Sequence, residues 1–217
     1  MKSVWKKVFL TAAIVGLAAC EEQQETDLLN QAAGLVLRTD TSAPTRRQNV
    51  VPQEELAANP GKYIRINIRD ISATDTLVAA GTNGERTTWI GGSGTSVTFE
   101  NGVIVATRGL PRDLMGADAS QTVRAIQSGG GTSVRVHDFL DDQDQITRFT
   151  LECTIEVTGA EMVNRFGTGI PAARFEETCR SDGLTLTNVY WMDASRAIIR
   201  SLQAVSPDAG YLQIDAF

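Results

Sequence analysis

Ser96-Val97-Thr98-Phe99-Glu100-Asn101-Gly102-Val103-Ile104-Val105-Ala106-Thr107 reads as two strands joined by the tightest of turns. Asn and Gly both tolerate positive φ, so Asn101-Gly102 suits the two central positions of a two-residue hairpin loop. The flanking runs are rich in β-branched and aromatic residues, which fit a pleated surface. Working outward, comparable runs recur at 63–68, 76–80 and 86–90 before the hairpin, and at 133–139, 146–157, 174–179, 184–192, 197–204 and 211–215 after it. Gly, Asn and Asp turns such as Ser181-Asp182-Gly183 separate many of them. Parallel pairing would need helical crossovers between strands, and only 119–127 carries a helical pattern inside this region. The expected fold is mainly β: an antiparallel meander sheet, or a sandwich or half-barrel, of about eleven strands.

Upstream of Tyr63 the period changes. Leu28, Leu29, Ala32, Ala33, Leu35 and Val36 recur at helical spacing after Thr26 and Asp27, and a second short helix starts at Pro52, carries Glu54 and Glu55 in its first turn and stops at Pro60. Two short N-terminal helices are therefore expected. Before them, Lys2, Lys6 and Lys7 precede an apolar run from Val8 to Leu17 that closes on Leu17-Ala18-Ala19-Cys20. That run is about half the length a bilayer-spanning helix needs, and it has the charged start, apolar middle and small-residue cleavage site of a signal peptide. A cysteine directly after the small residues makes it a lipobox. Residues 1–19 are then a lipoprotein signal peptide, Cys20 the lipidated mature N-terminus, 20–27 a polar tether and 28–217 a single β-rich domain. Acyl chains on Cys20 would hold the protein on a membrane without a transmembrane helix. Glu21 stands where an Asp would favour inner-membrane retention in enteric bacteria, so the expected location is the outer membrane, facing the periplasm.

Loss of 1–19 removes three lysines and no acids, leaving 17 of the 20 Lys and Arg against 26 Asp and Glu, a formal charge of −9. Nucleic-acid recognition starts from a basic footprint, so nucleic acid is excluded as a partner class. Beyond Cys20 the chain has Cys153 and Cys179, an even pair that in an oxidising compartment is more often a disulfide than two free thiols. A metal or redox role fares poorly, because there is no C-x-x-C and His137 is the sole histidine.

Catalytic signatures are weak. Gly91-Gly92-Ser93-Gly94-Thr95 lacks the last glycine of a nucleophile elbow and reads as a loop. Gly129-Gly130-Gly131 has no following Lys and no helix after it, so it is a connection and not a phosphate cradle. Asp138, Asp141, Asp142 and Asp144 lack the glycine and distal Glu of a calcium loop, which leaves a solvated turn. His137 beside Asp138 would be an awkward catalytic pair, since neighbours in a strand point to opposite faces. Arg108 and Arg200, near strand ends, could meet anionic groups. Trp89, Tyr190 and Trp191 are the candidate contacts for a glycan or a partner, each joining a broad apolar ring to a polar edge. Tyr190 and Trp191 are consecutive, so one ring should face away from whatever the other packs on. No cofactor, metal or catalytic residue is expected.

The lipobox, Thr88-Trp89-Ile90, the run Asn101 to Leu110 and the tail from Asn188-Val189-Tyr190-Trp191-Met192-Asp193 through Arg200-Ser201-Leu202-Gln203 to Pro207 and Gly210-Tyr211 together resemble the YjbF family, envelope lipoproteins of exopolysaccharide and group 4 capsule gene clusters. The resemblance runs from about Leu28 to the end. The family's usual Ser-Arg-Gln-Trp is Ser201-Leu202-Gln203-Ala204 here, so a contact made through that Arg and Trp would be altered. The resemblance implies a largely antiparallel β domain, no enzymatic activity, and a role in polysaccharide secretion beside an outer-membrane barrel and other export proteins. On this reading the protein is a non-enzymatic, outer-membrane-anchored accessory or scaffold of exopolysaccharide or capsule secretion. The alternative is a glycan-binding module that captures the exported polysaccharide.

Overall fold

The computed structural model describes residues 51–217. The signal peptide expected over 1–19, Cys20, the tether expected over 20–27 and the helix expected over 28–36 lie outside the described residues. The described elements are α1 (Gln53–Ala58), β1 (Tyr63–Ile68), a 3-10 turn (Arg69–Ile71), β2 (Ala73–Asn83), β3 (Arg86–Gly91), β4 (Ser96–Glu100), β5 (Val103–Arg108) and β6 (Gly116–Asp118). They continue with α2 (Ser120–Gln127), β7 (Gly131–Leu140), β8 (Ile146–Arg165), β9 (Thr168–Ser181), β10 (Leu184–Met192), β11 (Ile198–Ser206) and β12 (Gly210–Ala216).

All twelve strands form one sheet in the order β5-β4-β3-β2-β1-β12-β11-β10-β9-β8-β7-β6, and every pairing is antiparallel. Two meanders, β1 to β5 and β6 to β12, meet where β1 pairs β12, with Ile66 opposite Ile214. At the other seam the Thr107 N–H donates to the Leu114 carbonyl at 2.9 Å, and the Met115 N–H donates to the Asp138 carbonyl at 2.9 Å. These bonds draw the last residues of β5 to the approach of β6, so the sheet curls into a nearly closed barrel that covers most of its edges.

The period of two decides what goes inside. Ile64, Ile66 and Ile68 of β1, Val97 and Phe99 of β4, Leu151, Cys153 and Ile155 of β8, and Leu212 and Ile214 of β12 fill one continuous core. Each Leu or Ile so buried is worth about 1.5–3 kcal/mol relative to exposure. Helix α2 adds Val123, Ala125 and Ile126 to that core, and ends where the Gly130 N–H bonds the Ala125 carbonyl. A separate cluster joins Leu56 of α1 to Tyr63 and Phe217, with Val51 and Phe166 packed on it.

The Asn101-Gly102 turn forms as expected, with φ 50° and 85°. Eleven of the strands sit where alternation placed them; the additional one is β6, too short to show a period. Three strands are much longer than expected, β2 among them, which runs Ala73–Asn83 with a register shift between Ala79 and Gly81. Strand β8 continues past Val157 through a bulge between Val157 and Gly159, and β9 begins upstream of Arg174 and includes Pro171. A bulge breaks alternation and a proline demotes a strand pattern, which is why the β8 and β9 extensions were not visible in the sequence.

Candidate functional site

The barrel interior holds a built polar network. Arg135 of β7 and Glu177 of β9, both fully buried, form an ion pair with Nη1 to Oε2 at 2.9 Å. The same carboxylate oxygen accepts from Asn188 Nδ2 at 2.7 Å and Tyr190 Oη at 2.8 Å, while Thr122 Oγ1 donates to Oε1 at 2.7 Å. Arg135 Nη2 crosses the barrel to the Ile104 carbonyl at 3.2 Å. Burial opposes ionisation of Glu177, but Arg135 and these hydrogen bonds outweigh it and hold the carboxyl below its usual range. Gln203 of β11 spans the interior to β5, accepting from the Ile104 N–H at 2.8 Å and donating to the Gly102 carbonyl at 2.8 Å. These groups lock strands together, and of the Arg135 guanidinium only Nε is left without a hydrogen-bond partner.

His137 lies in the same interior. Burial first, and the charge of Arg135 second, lower its pKa to about 3, and its Nε2 has no hydrogen-bond partner. Asp138 points away from it and binds Arg148, with Oδ1 to Nε and Oδ2 to Nη2 both at 2.8 Å. Among the described residues, one cluster has metal-ligand types within reach, Cys153, Glu177 and Cys179. Its cysteines are joined in a disulfide and its carboxylate is held by Arg135. The other motifs serve as turns. Ser93 in the Gly91–Thr95 loop hydrogen-bonds buried Asp75 through its hydroxyl, and Asp141 Oδ1 accepts from the Gln143 and Gln145 N–H groups, each at 2.9 Å.

The three aromatic candidates do not converge. The Tyr190 ring is fully buried in the network, so as a surface contact it is corrected: its hydroxyl is needed by Glu177. Its neighbour Trp191 is the half-buried ring, with Nε1 donating to Glu161 Oε2 at 2.9 Å and the Arg174 guanidinium 5.9 Å from the ring centre. Trp89 pairs with buried Val97 and lines a cleft of about 240 Å³ shared with Ile64, Phe99, Ile198, Glu85 and Thr87. Arg200 also borders that cleft and is paired with Asp215. Arg108 staples the barrel seam by donating to the Leu114 and Met115 carbonyls at 3.1 and 3.2 Å. Where the chain keeps Ser201 and Gln203 the side chains are buried, and where it carries Leu202 and Ala204 they are half-buried.

One exterior feature is one that alternation missed. Pairing of β7 with β8 stops at Ile155, and pairing of β10 with β9 stops at Ala173, but β8 and β9 continue together to the Arg165–Thr168 pair. The result is a two-stranded ribbon standing past its neighbours. One face rests on the barrel: Val163 and Ala172 are buried with Ile199, and Ile170 and Trp191 pack against them. The tip reaches Phe217, whose ring centre is 5.0 Å from that of Phe166. The opposite face is open and apolar, with Val157 51% and Met162 66% exposed, alongside exposed Ala160 and Pro171. Cys153 and Cys179, register partners at its base, are bridged.

No curated protein sequence matches the chain. Among solved structures, the hypothetical lipoprotein YmcC from Escherichia coli K12 is similar, with a TM-score of 0.68 at 18% identity, covering 77% of this chain and 88% of that one. At that identity the likeness speaks for the fold, a curled antiparallel sheet. The sequence profile described as group 4 capsule polysaccharide lipoprotein gfcB, YjbF matches residues 12–217. A match across barrel, ribbon and C-terminal tail together means that this chain belongs to the YjbF family of group 4 capsule polysaccharide lipoproteins.

Proposed function

We propose that this envelope lipoprotein is a non-enzymatic accessory of capsule or exopolysaccharide secretion, held on the outer membrane through Cys20 and docking export proteins through its β8–β9 ribbon. The observation that carries the docking role is the ribbon's open face, where Val157 and Met162 are left in water on an element already braced on its other side. Rigid exposed apolar surface of this kind marks contact sites. In this reading the interior network supplies stiffness and the 20–27 tether supplies reach. The test is recovery of the tagged, lipidated protein from its own envelope after mild crosslinking, with co-eluting proteins and sugar both quantified. An outer-membrane barrel or export proteins in fixed ratio, lost on Met162→Asp, is the expected result. Sugar without protein would overturn it.

One observation favours a second reading, capture of the exported glycan. Trp89 presents a half-buried ring to an open cleft with Glu85, Thr87 and Asn101 at hand, and an aromatic face with polar neighbours suits a sugar ring. Trp89→Ala should then abolish polysaccharide binding measured by calorimetry; unchanged binding excludes the cleft.

A further inference from the structure

We propose that the free edge of β8 from Thr158 to Asn164 is a strand-addition site, taking an extended, alternately apolar segment of a partner protein. The inference rests on the ribbon being the docking element and names what docks there and how. Past Ile155, β8 has no β7 partner, so among the described residues it is paired on one side alone between the bulge and the tip. The tip turn decides which backbone groups face out. Phe166 and Gly167 have φ 55° and 84°, the signature of a two-residue type I′ loop, and such a loop closes on a hydrogen-bonded pair, here Arg165 with Thr168. Alternation then makes the pairs Asn164–Gly169, Met162–Pro171 and Ala160–Ala173 the non-hydrogen-bonded ones. Pro171, with no N–H to give, fits that position. The N–H and C=O of Ala160, Met162 and Asn164 therefore point away from β9.

The two edges of the ribbon are unlike. Edge strands are normally guarded by prolines or charges. The β9 edge has Pro171, but from Thr158 to Asn164 the one charged side chain, Glu161, is engaged on the braced face by Trp191 and Arg174. A row of outward backbone groups from Ala160 to Asn164, about 13 Å long at strand spacing, is met by another backbone, which selects a polypeptide over a sugar or a lipid. An added strand would lay every second side chain beside Met162 and Ala160, so those positions should be apolar.

The experiment uses the full-length lipidated protein, affinity-tagged, crosslinked in its own envelope. Met162→Pro removes one outward N–H while leaving the β8–β9 hydrogen bonds intact, Met162→Asp spoils the open apolar face, and Met162→Leu preserves both. The Pro and Asp variants should each lower recovery of the crosslinked partner at least tenfold and the Leu variant should not. Hydrogen exchange on the co-purified complex, independent of whether the Pro variant folds, should protect the Ala160, Met162 and Asn164 amides relative to the protein alone. Loss with Asp but not Pro, with those amides unprotected, overturns strand addition and leaves face docking standing. No loss with any variant overturns both. A concentration-dependent dimer of the purified protein, abolished by Met162→Pro, would make a second copy the occupant and overturn the assignment to a foreign partner.

Discussion

Arg135 and Glu177 show what single residues contribute here. Breaking a buried pair strands a charge, so Arg135→Met or Glu177→Leu alone should cost about 3–5 kcal/mol. The double replacement should cost less than the sum of the two, as read from urea midpoints at neutral pH. His137 adds a pH dependence. Its pKa falls from an unfolded value near 6.5 to about 3 in the fold, so the unfolded chain binds the proton more readily. Its contribution is fully present above pH 6.5 and is lost progressively as pH falls towards 3. The shift corresponds to roughly 3–5 kcal/mol, and His137→Leu should flatten that part of the stability profile relative to wild type. Neither effect was legible in the sequence. Arg135 and Glu177 are 42 positions apart, and each looks like an ordinary solvated charge until the barrel closes around it. His137 was legible only as half of an unsuitable pair with Asp138.

At the scale of elements, alternation and turn chemistry carried the assignment where strands are regular. The Asn101-Gly102 hairpin, the short helix after Pro52 and the helix over 119–127 were all readable because turn residues, proline positions and periods agree. The ribbon was not, because its bulge at Gly159 and its Pro171 are the features that normally argue a strand has ended. The same hairpin loop makes a sharp prediction. Gly102 has φ 85°, and a Cβ there would lie 2.9 Å from the Ile198 Cβ. Gly102→Ala combines backbone strain with that close approach and should cost about 1–3 kcal/mol, seen as a lowered thermal midpoint. Asn101→Gly, which relieves a positive φ, should be close to neutral.

For the whole molecule, two meanders are locked by one long-range pairing, β1 with β12, and one stapled seam at β5 and β6. Alternation and turn residues foretold a mainly β domain, but not the closure, because nothing local to β5 says that its edge meets Leu114. The disulfide closes a separation of 26 residues, and replacing Cys153 and Cys179 together by Ala should cost roughly 3–4 kcal/mol in the chain-entropy account. Chemical denaturation of oxidised wild type against that variant measures it. The bridge has another consequence, set by where it sits. Every residue of the ribbon beyond its base lies inside the covalent ring it closes. A protease cutting at the tip would therefore nick the chain without severing it: one band should persist on a non-reducing gel and two fragments separate once thiol is added, so the molecule can be cut in this ribbon and remain one covalent piece.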